Sequence, residues 1–158
     1  MSVFLRNFAL IMGRLLAIDY GRKRCGIAVT DVLRIVATGI ATVPTADLAR
    51  WVKGYMTAEP VDRVVVGLPR DMRGRDSESM RWIRPGIQRL RAALPDVKVV
   101  WFDERFTSVL AHRAMLESGM KKSDRRDKAA VDTMAAAIIL NDYLQSQQYV
   151  NDNNDNKI

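Results

Sequence analysis

Polar and apolar positions follow two rhythms along this chain: short apolar runs closed by turn residues, and longer stretches with apolar positions three or four apart. The first run, starting at Leu15, ends abruptly in the carboxylate of Asp19. Tyr20-Gly21-Arg22-Lys23-Arg24 then leads into a second run over residues 25–30. Short apolar runs bounded by turn signals predict buried strands, and two of them around a glycine-containing connection predict a hairpin. A turn over residues 31–34 and a third β-rich run over residues 35–43 follow. Thr45 is placed to cap a helix over residues 46–57, with Leu48, Val52 and Tyr55 at helical spacing and Glu59-Pro60 as its stop. Val61–Leu68 is a strand whose unbroken Val64-Val65-Val66 predicts burial on both faces, as in a parallel sheet.

Residues 69–79 read as a charged, glycine-containing loop, and residues 80–94 as a helix that Pro85-Gly86 should kink or interrupt. Residues 96–102 form the next strand and run into Asp103-Glu104-Arg105. Ser108 can cap a helix over residues 109–118, closed by Gly119. A polar loop over residues 121–128 precedes a strongly apolar helix over residues 129–144. From Ser146 onward the chain is polar and low in complexity, which predicts disorder. The order of elements predicts an α/β domain with a mixed five-stranded sheet flanked by helices. Residues 1–11 are expected to be an extension or a misassigned start, residues 12–145 the domain, and residues 146–158 a disordered tail.

Composition narrows the chemistry. With 25 Lys and Arg against 18 Asp and Glu, the chain carries a net charge of +7, which favours a polyanionic partner such as nucleic acid. Cys25 and His112 are the only residues of their kinds, which excludes an internal disulfide, a cysteine-based zinc site and a histidine-cluster metal site. Any metal must be held by carboxylates, which selects hard cations such as Mg²⁺ or Mn²⁺. No run approaches the roughly 18 apolar residues of a membrane span, so a cytoplasmic protein is expected. Gly21 and Gly26 lack the Lys and Ser or Thr of a P-loop and precede a strand, and no dinucleotide-binding glycine pattern exists.

Three carboxylates stand where chemistry could sit. Asp19 ends the first strand, Glu104 follows the last, and Asp132 shares the apolar face of the final helix with Ala135, Ala136 and Ile139. Each alone is ordinarily a turn residue, a solvated charge or a helix-dipole partner. Together they predict a shared divalent cation, which would offset the cost of burying Asp132. Basic residues gather in three connections: Arg22, Lys23 and Arg24; Arg70, Arg73, Arg75, Arg81 and Arg84; and Lys121, Lys122, Arg125, Arg126 and Lys128. Each is commonly just a solvated surface, but their placement near the carboxylates favours phosphate contacts. Trp82, beside Arg81 and Arg84, is the candidate for stacking on a base. Trp51, Trp101 and Cys25 read as packing residues and His112 as a surface residue.

Asp19-Tyr20-Gly21 with Arg24 and Gly26, VVVGLP at residues 64–69, DERFTS at residues 103–108, and Lys128 with Asp132 on the last helix together resemble the YqgF/RuvX family. The resemblance implies an RNase H-like fold with a β-β-β-α-β-α-β-α core. It implies a nuclease maturing the 5′ end of pre-16S rRNA, with a Holliday-junction resolvase acting on branched DNA as the alternative. Asp19, Glu104 and Asp132 become the catalytic acids, holding Mg²⁺ or Mn²⁺. Arg24 would contact the substrate phosphate, and Thr107 and Ser108 would bond a phosphate or steady Glu104. Asp103 stays a second candidate ligand. Two further readings compete: a phosphotransferase, since the Asp-x-Gly hairpin recurs in two-domain ATPases of this fold, and a non-catalytic RNA-binding factor acting on ribosomal precursor particles.

Overall fold

The computed structural model of the chain describes residues 13–106 and 128–155. Three strands, β1 (Arg14–Tyr20), β2 (Arg24–Thr30) and β3 (Ala37–Pro44), are joined by two antiparallel pairings. A 3₁₀ turn at Thr45–Asp47 leads into α1 (Leu48–Ala58). Strand β4 (Val61–Leu68) then returns parallel to β1, helix α2 (Met80–Ala93) crosses over, and β5 (Lys98–Asp103) adds parallel to β4. The sheet order is β3-β2-β1-β4-β5, the mixed five-stranded sheet that the runs predict. A second 3₁₀ turn, Glu104–Phe106, ends this part of the chain. Helix α3 (Lys128–Leu144) and a short α4 (Gln147–Asp155) complete the described residues. None of the described helices is long and apolar enough to cross a membrane.

The alternation of side chains along each strand divides the core in two. Leu16, Ile18, Ile27, Val64 and Val66 pack under α1 and α2. Leu15, Ala17, Ala28 and Val65 pack under α3 with Ala136, Ile139 and Leu140. β1 is thus buried on both faces from Leu15 to Asp19. Asp19, being odd-numbered, belongs to the α3 face.

Several expectations are corrected in detail. Thr45 does not cap a helix: its hydroxyl donates to the Gly21 carbonyl at 2.8 Å, and its amide donates to the Lys23 carbonyl at 3.0 Å. These bonds pin the hairpin connection, and the α-helix starts three residues later. Pro85 does not interrupt α2, which runs unbroken from Met80 to Ala93. The expected disorder from Ser146 does not hold for residues 147–155, which are helical. Their polar side chains find partners on the domain: Gln148 donates to the Trp101 carbonyl at 2.8 Å, and Tyr149 packs edge-on against Tyr143. The helix expected over residues 109–118, His112, and the expected extension at residues 1–11 lie outside the described residues.

Candidate active site

The carboxyl ends of β1, β4 and the segment after β5 meet at one end of the sheet, where open α/β sheets place ligands. Asp19 projects there from β1. Its cross-strand partner on β2 is Gly26, and the register Ile18↔Val66 places Gly67 beside it on β4. Asp19 is therefore flanked on both sides by residues without side chains. A Cβ on Gly26 would collide with the backbone of Asp132, so this glycine lets α3 settle directly on the sheet. A Cβ on Gly67 would fall 2.5 Å from Glu104 Oε1 and 2.8 Å from Ile139 Cδ1, so this glycine makes room for the Glu104 carboxylate. Glycine inside a strand marks close approach. Here it admits one acid from each side of Asp19.

The outcome is a cavity of about 380 Å³ lined by Asp19, Glu104 and Asp132 together with Arg22, Arg24 and Trp82. Asp19 is 7% exposed and Glu104 4% exposed. Asp132 is half-buried and receives Arg24 Nε at 2.6 Å. Arg22 lies over the Trp82 ring, 5.5 Å from its centroid, so the tryptophan face anticipated as a base platform carries a guanidinium. Two buried carboxylates with an all-oxygen donor set, opening on a cavity, fit a hard divalent cation. The third does not join them in a ready cluster: among the described residues no group of three or more Asp, Glu, His or Cys is placed to hold a metal ion. Asp132 is engaged with Arg24 instead.

Asp103 and Glu104 separate clearly. Asp103 lies outside the cavity and accepts from Arg105 NH2 at 2.7 Å, with Arg70 NH1 at 3.6 Å. Burial pushes its carboxyl up, but the Arg105 hydrogen bonds and the Arg70 charge prevail and hold it below the usual carboxylate range. Asp103 organises the turn that presents Glu104.

The arginines of the loop after β4 and of the first turns of α2 are not gathered at the cavity. Arg70 pairs with Asp76 and Asp103, Arg75 with Asp71 at 2.7 Å, Arg84 with Asp76, and Arg81 with Glu78 at 3.2 Å. Arg73 donates its amide to the Asp71 carboxylate, within a tight turn through Gly74 at φ 81°. Thr107 and Ser108 lie outside the described residues, as does the side chain of Lys128 that begins α3. Cys25 is buried, as read, and burial pushes its thiol up. The sequence reading missed Gly67; a glycine closing the valine run was its signal.

Residues 13–146 match a family described as RuvX, Holliday junction resolvase. A Phocaeicola vulgatus protein named "Putative pre-16S rRNA nuclease" is 54% identical over 139 residues, covering 88% of this chain and 100% of its own. Relatives of the same name from Bacteroides thetaiotaomicron and Porphyromonas gingivalis are 51% and 53% identical, covering 87% and 85% of this chain and 100% and 98% of theirs. The fold is similar to that of T. thermophilus RuvC in complex with Holliday junction substrate. The TM-score is 0.50 at 15% identity, over 84% of this chain and 95% of that one.

Proposed function

We propose, for a chain that belongs to the RuvX family, that it hydrolyses phosphodiester bonds at the acidic cavity, and that its substrate is the 5′ end of pre-16S rRNA in the cytoplasm. The observation that carries this reading is the pair of buried carboxylates, Asp19 and Glu104, opening with Arg22 and Arg24 into one cavity. The relatives' name supports the RNA substrate. The family's description supports a second one, a four-way DNA junction.

Asp19 and Glu104 would hold a divalent cation, Mg²⁺ or Mn²⁺, with Asp132 as the third acid. When bound there, such a cation supplies the charge that acidifies a water and stabilises a leaving oxygen. The chain's own residues do the rest. Arg24, fixed by Asp132 at 2.6 Å, presents its remaining donors to the scissile phosphate. Arg22, held over Trp82, neutralises the neighbouring phosphate. The gap at Gly67 seats the Glu104 carboxylate and the gap at Gly26 the backbone of Asp132, on either side of Asp19.

The test incubates wild type and Asp19→Asn with a structured rRNA precursor and a four-way DNA junction, each with Mg²⁺, Mn²⁺ or chelator. Cleavage by wild type alone and only with metal is expected, with a loss of at least about a hundredfold in Asp19→Asn, the scale of removing one electrostatic group from an active site. Equal cleavage by the variant would remove Asp19 from the chemistry. Binding of either substrate without cleavage would favour the non-catalytic assembly factor.

A further inference from the structure

On the opposite face of the same strand ends lies a second cavity, of about 420 Å³, lined by Tyr20, Arg22, Lys23 and Thr45 from one side and by Gly86 and Arg89 from the other. No carboxylate is among the described residues that line it. Among the described residues this sets it apart from most other arginines. Arg24, Arg70, Arg75, Arg81, Arg84 and Arg105 are each neutralised by an Asp or Glu. Among the described residues, Arg22, Lys23 and Arg89 form no ion pair, and all three are exposed.

The groove is also built. The Thr45 hydroxyl and amide bond the Gly21 and Lys23 carbonyls, which fixes the connection that carries Arg22 and Lys23. Tyr20, turned to the α2 face by the alternation of β1, reaches across the helix at Gly86. Its hydroxyl occupies the space a Cβ there would need. Beyond it lies Arg89, whose charge favours the ionised Tyr20 hydroxyl against the larger effect of burial. The glycine that reads from sequence as a helix breaker is thus the seat of a tyrosine that lines the groove with Arg89. Three cations that form no ion pair among the described residues, in a groove whose described lining holds no carboxylate, suit the phosphates of a polyanion. Tyr20 and Arg22 line both cavities, so the groove continues directly from the acidic site.

We infer that this groove binds the phosphate backbone of the substrate strand that flanks the cleaved bond, with Arg89, Lys23 and Arg22 as its phosphate contacts. The inference rests on the nuclease reading above and adds a binding site on the α2 face. Its substrate class is nucleic acid extending beyond the scissile phosphate, and the strand passes from one cavity to the other over Arg22.

The test measures binding separately from cleavage, in chelator, by fluorescence anisotropy over a range of salt. The probe is an RNA hairpin with a single-stranded 5′ extension, compared with the same hairpin trimmed of it. Arg89→Gln and Lys23→Gln are each expected to weaken binding of the extended hairpin and to lower the slope of log K against log salt by about 0.7, one single-strand phosphate contact. The trimmed hairpin is expected to be affected less, and Arg89→Lys to restore the slope. Lys53→Gln, which removes the same charge from α1 away from the groove, serves as control, and thermal melts report the fold of each variant. Slopes for Arg89→Gln and Lys23→Gln equal to that of Lys53→Gln would overturn the groove while leaving the nuclease reading intact. Failure of wild type to bind either hairpin at low salt would overturn both.

Discussion

Buried charge sits at both ends of β4 on the α3 face, and the two ends treat it oppositely. Near the strand's start, Arg63 is 1% exposed and closed in by partners. Its NH1 donates to the Tyr143 hydroxyl at 3.0 Å and to Asn153 Oδ1 at 3.4 Å, and its NH2 to the Asp152 carbonyl at 3.4 Å. Tyr143 in turn donates to the Asp152 carboxylate. At the far end, Glu104 sits against Gly67 and beside Asp19, and both acids open on a cavity. Burying charge is costly at either end. At the first the cost is largely offset inside the protein, by α3 and α4, although Arg63 Nε itself has no hydrogen-bond partner among the described residues. At the second the acids face space that a ligand can fill. Burial alone therefore does not mark a functional group; burial that opens on a cavity does.

Arg63→Ala should break the closed end and gives the largest stability effect, about 3–5 kcal/mol, the cost of removing one partner from a buried charged network. Urea denaturation would measure it. Limited proteolysis should show residues 147–155 cut first, since Arg63 is their main polar anchor. Cleavage of nucleic acid at a temperature where the variant stays folded should survive. A proportionate loss of cleavage there would mean that the two ends of β4 are not independent.

Gly67→Ala should act at the open end, with a smaller stability effect and a larger functional one. The added methyl meets Glu104 and Ile139, an overpacking that costs about 1–3 kcal/mol. Glu104, whose carboxylate lies closest to the new methyl, should be displaced. Cleavage should then fall about tenfold or more while the melting temperature drops by only a few degrees. Full activity in Gly67→Ala would show that the position of Glu104 is not critical.

This contrast also explains what could be read from the residues beforehand. The strands were legible because runs such as Val64-Val65-Val66 have one physical meaning, and the acids were legible because they interrupt those runs. Asp132 could be placed on a face because helical spacing ties it to Ala135, Ala136 and Ile139. What escaped depends on contacts between distant segments. The disorder expected after Ser146 overlooked Arg63, 80 or more residues earlier, whose buried guanidinium recruits Tyr143 and the polar residues of α4. The cationic groove escaped because the charges of the loop after β4 looked equal to those of the hairpin. Only the fold reveals that Arg70, Arg75, Arg81 and Arg84 are neutralised by nearby acids while Arg22, Lys23 and Arg89 form no ion pair among the described residues. Gly86 likewise suggested a broken helix, because the Tyr20 ring that rests on it comes from β1.

The smallest effect tests the closed end most finely. Tyr143 is fully buried, and its hydroxyl accepts from Arg63 and donates to Asp152. Burial raises its ionisation well above the ordinary tyrosine range, and the hydrogen bond to Asp152 raises it further, outweighing the Arg63 charge. Tyr143→Phe keeps the ring packing and removes one bridging hydroxyl, so near neutral pH it should cost about 1 kcal/mol. The pH dependence gives the signature. Above about pH 10 the unfolded chain ionises at this position while the native protein keeps the proton, so wild type loses stability as pH rises and the phenylalanine variant is spared that loss. At about 1.4 kcal/mol per pH unit, the wild-type advantage should shrink from about pH 10 and reverse near pH 11. Urea denaturation of both proteins across that range measures the difference directly, with the remaining tyrosines and lysines cancelling between them. A constant difference through pH 11 would mean that Tyr143 ionises as easily in the folded protein as in the unfolded one. The closed end would then be open to water, and the contrast with the acidic site would disappear.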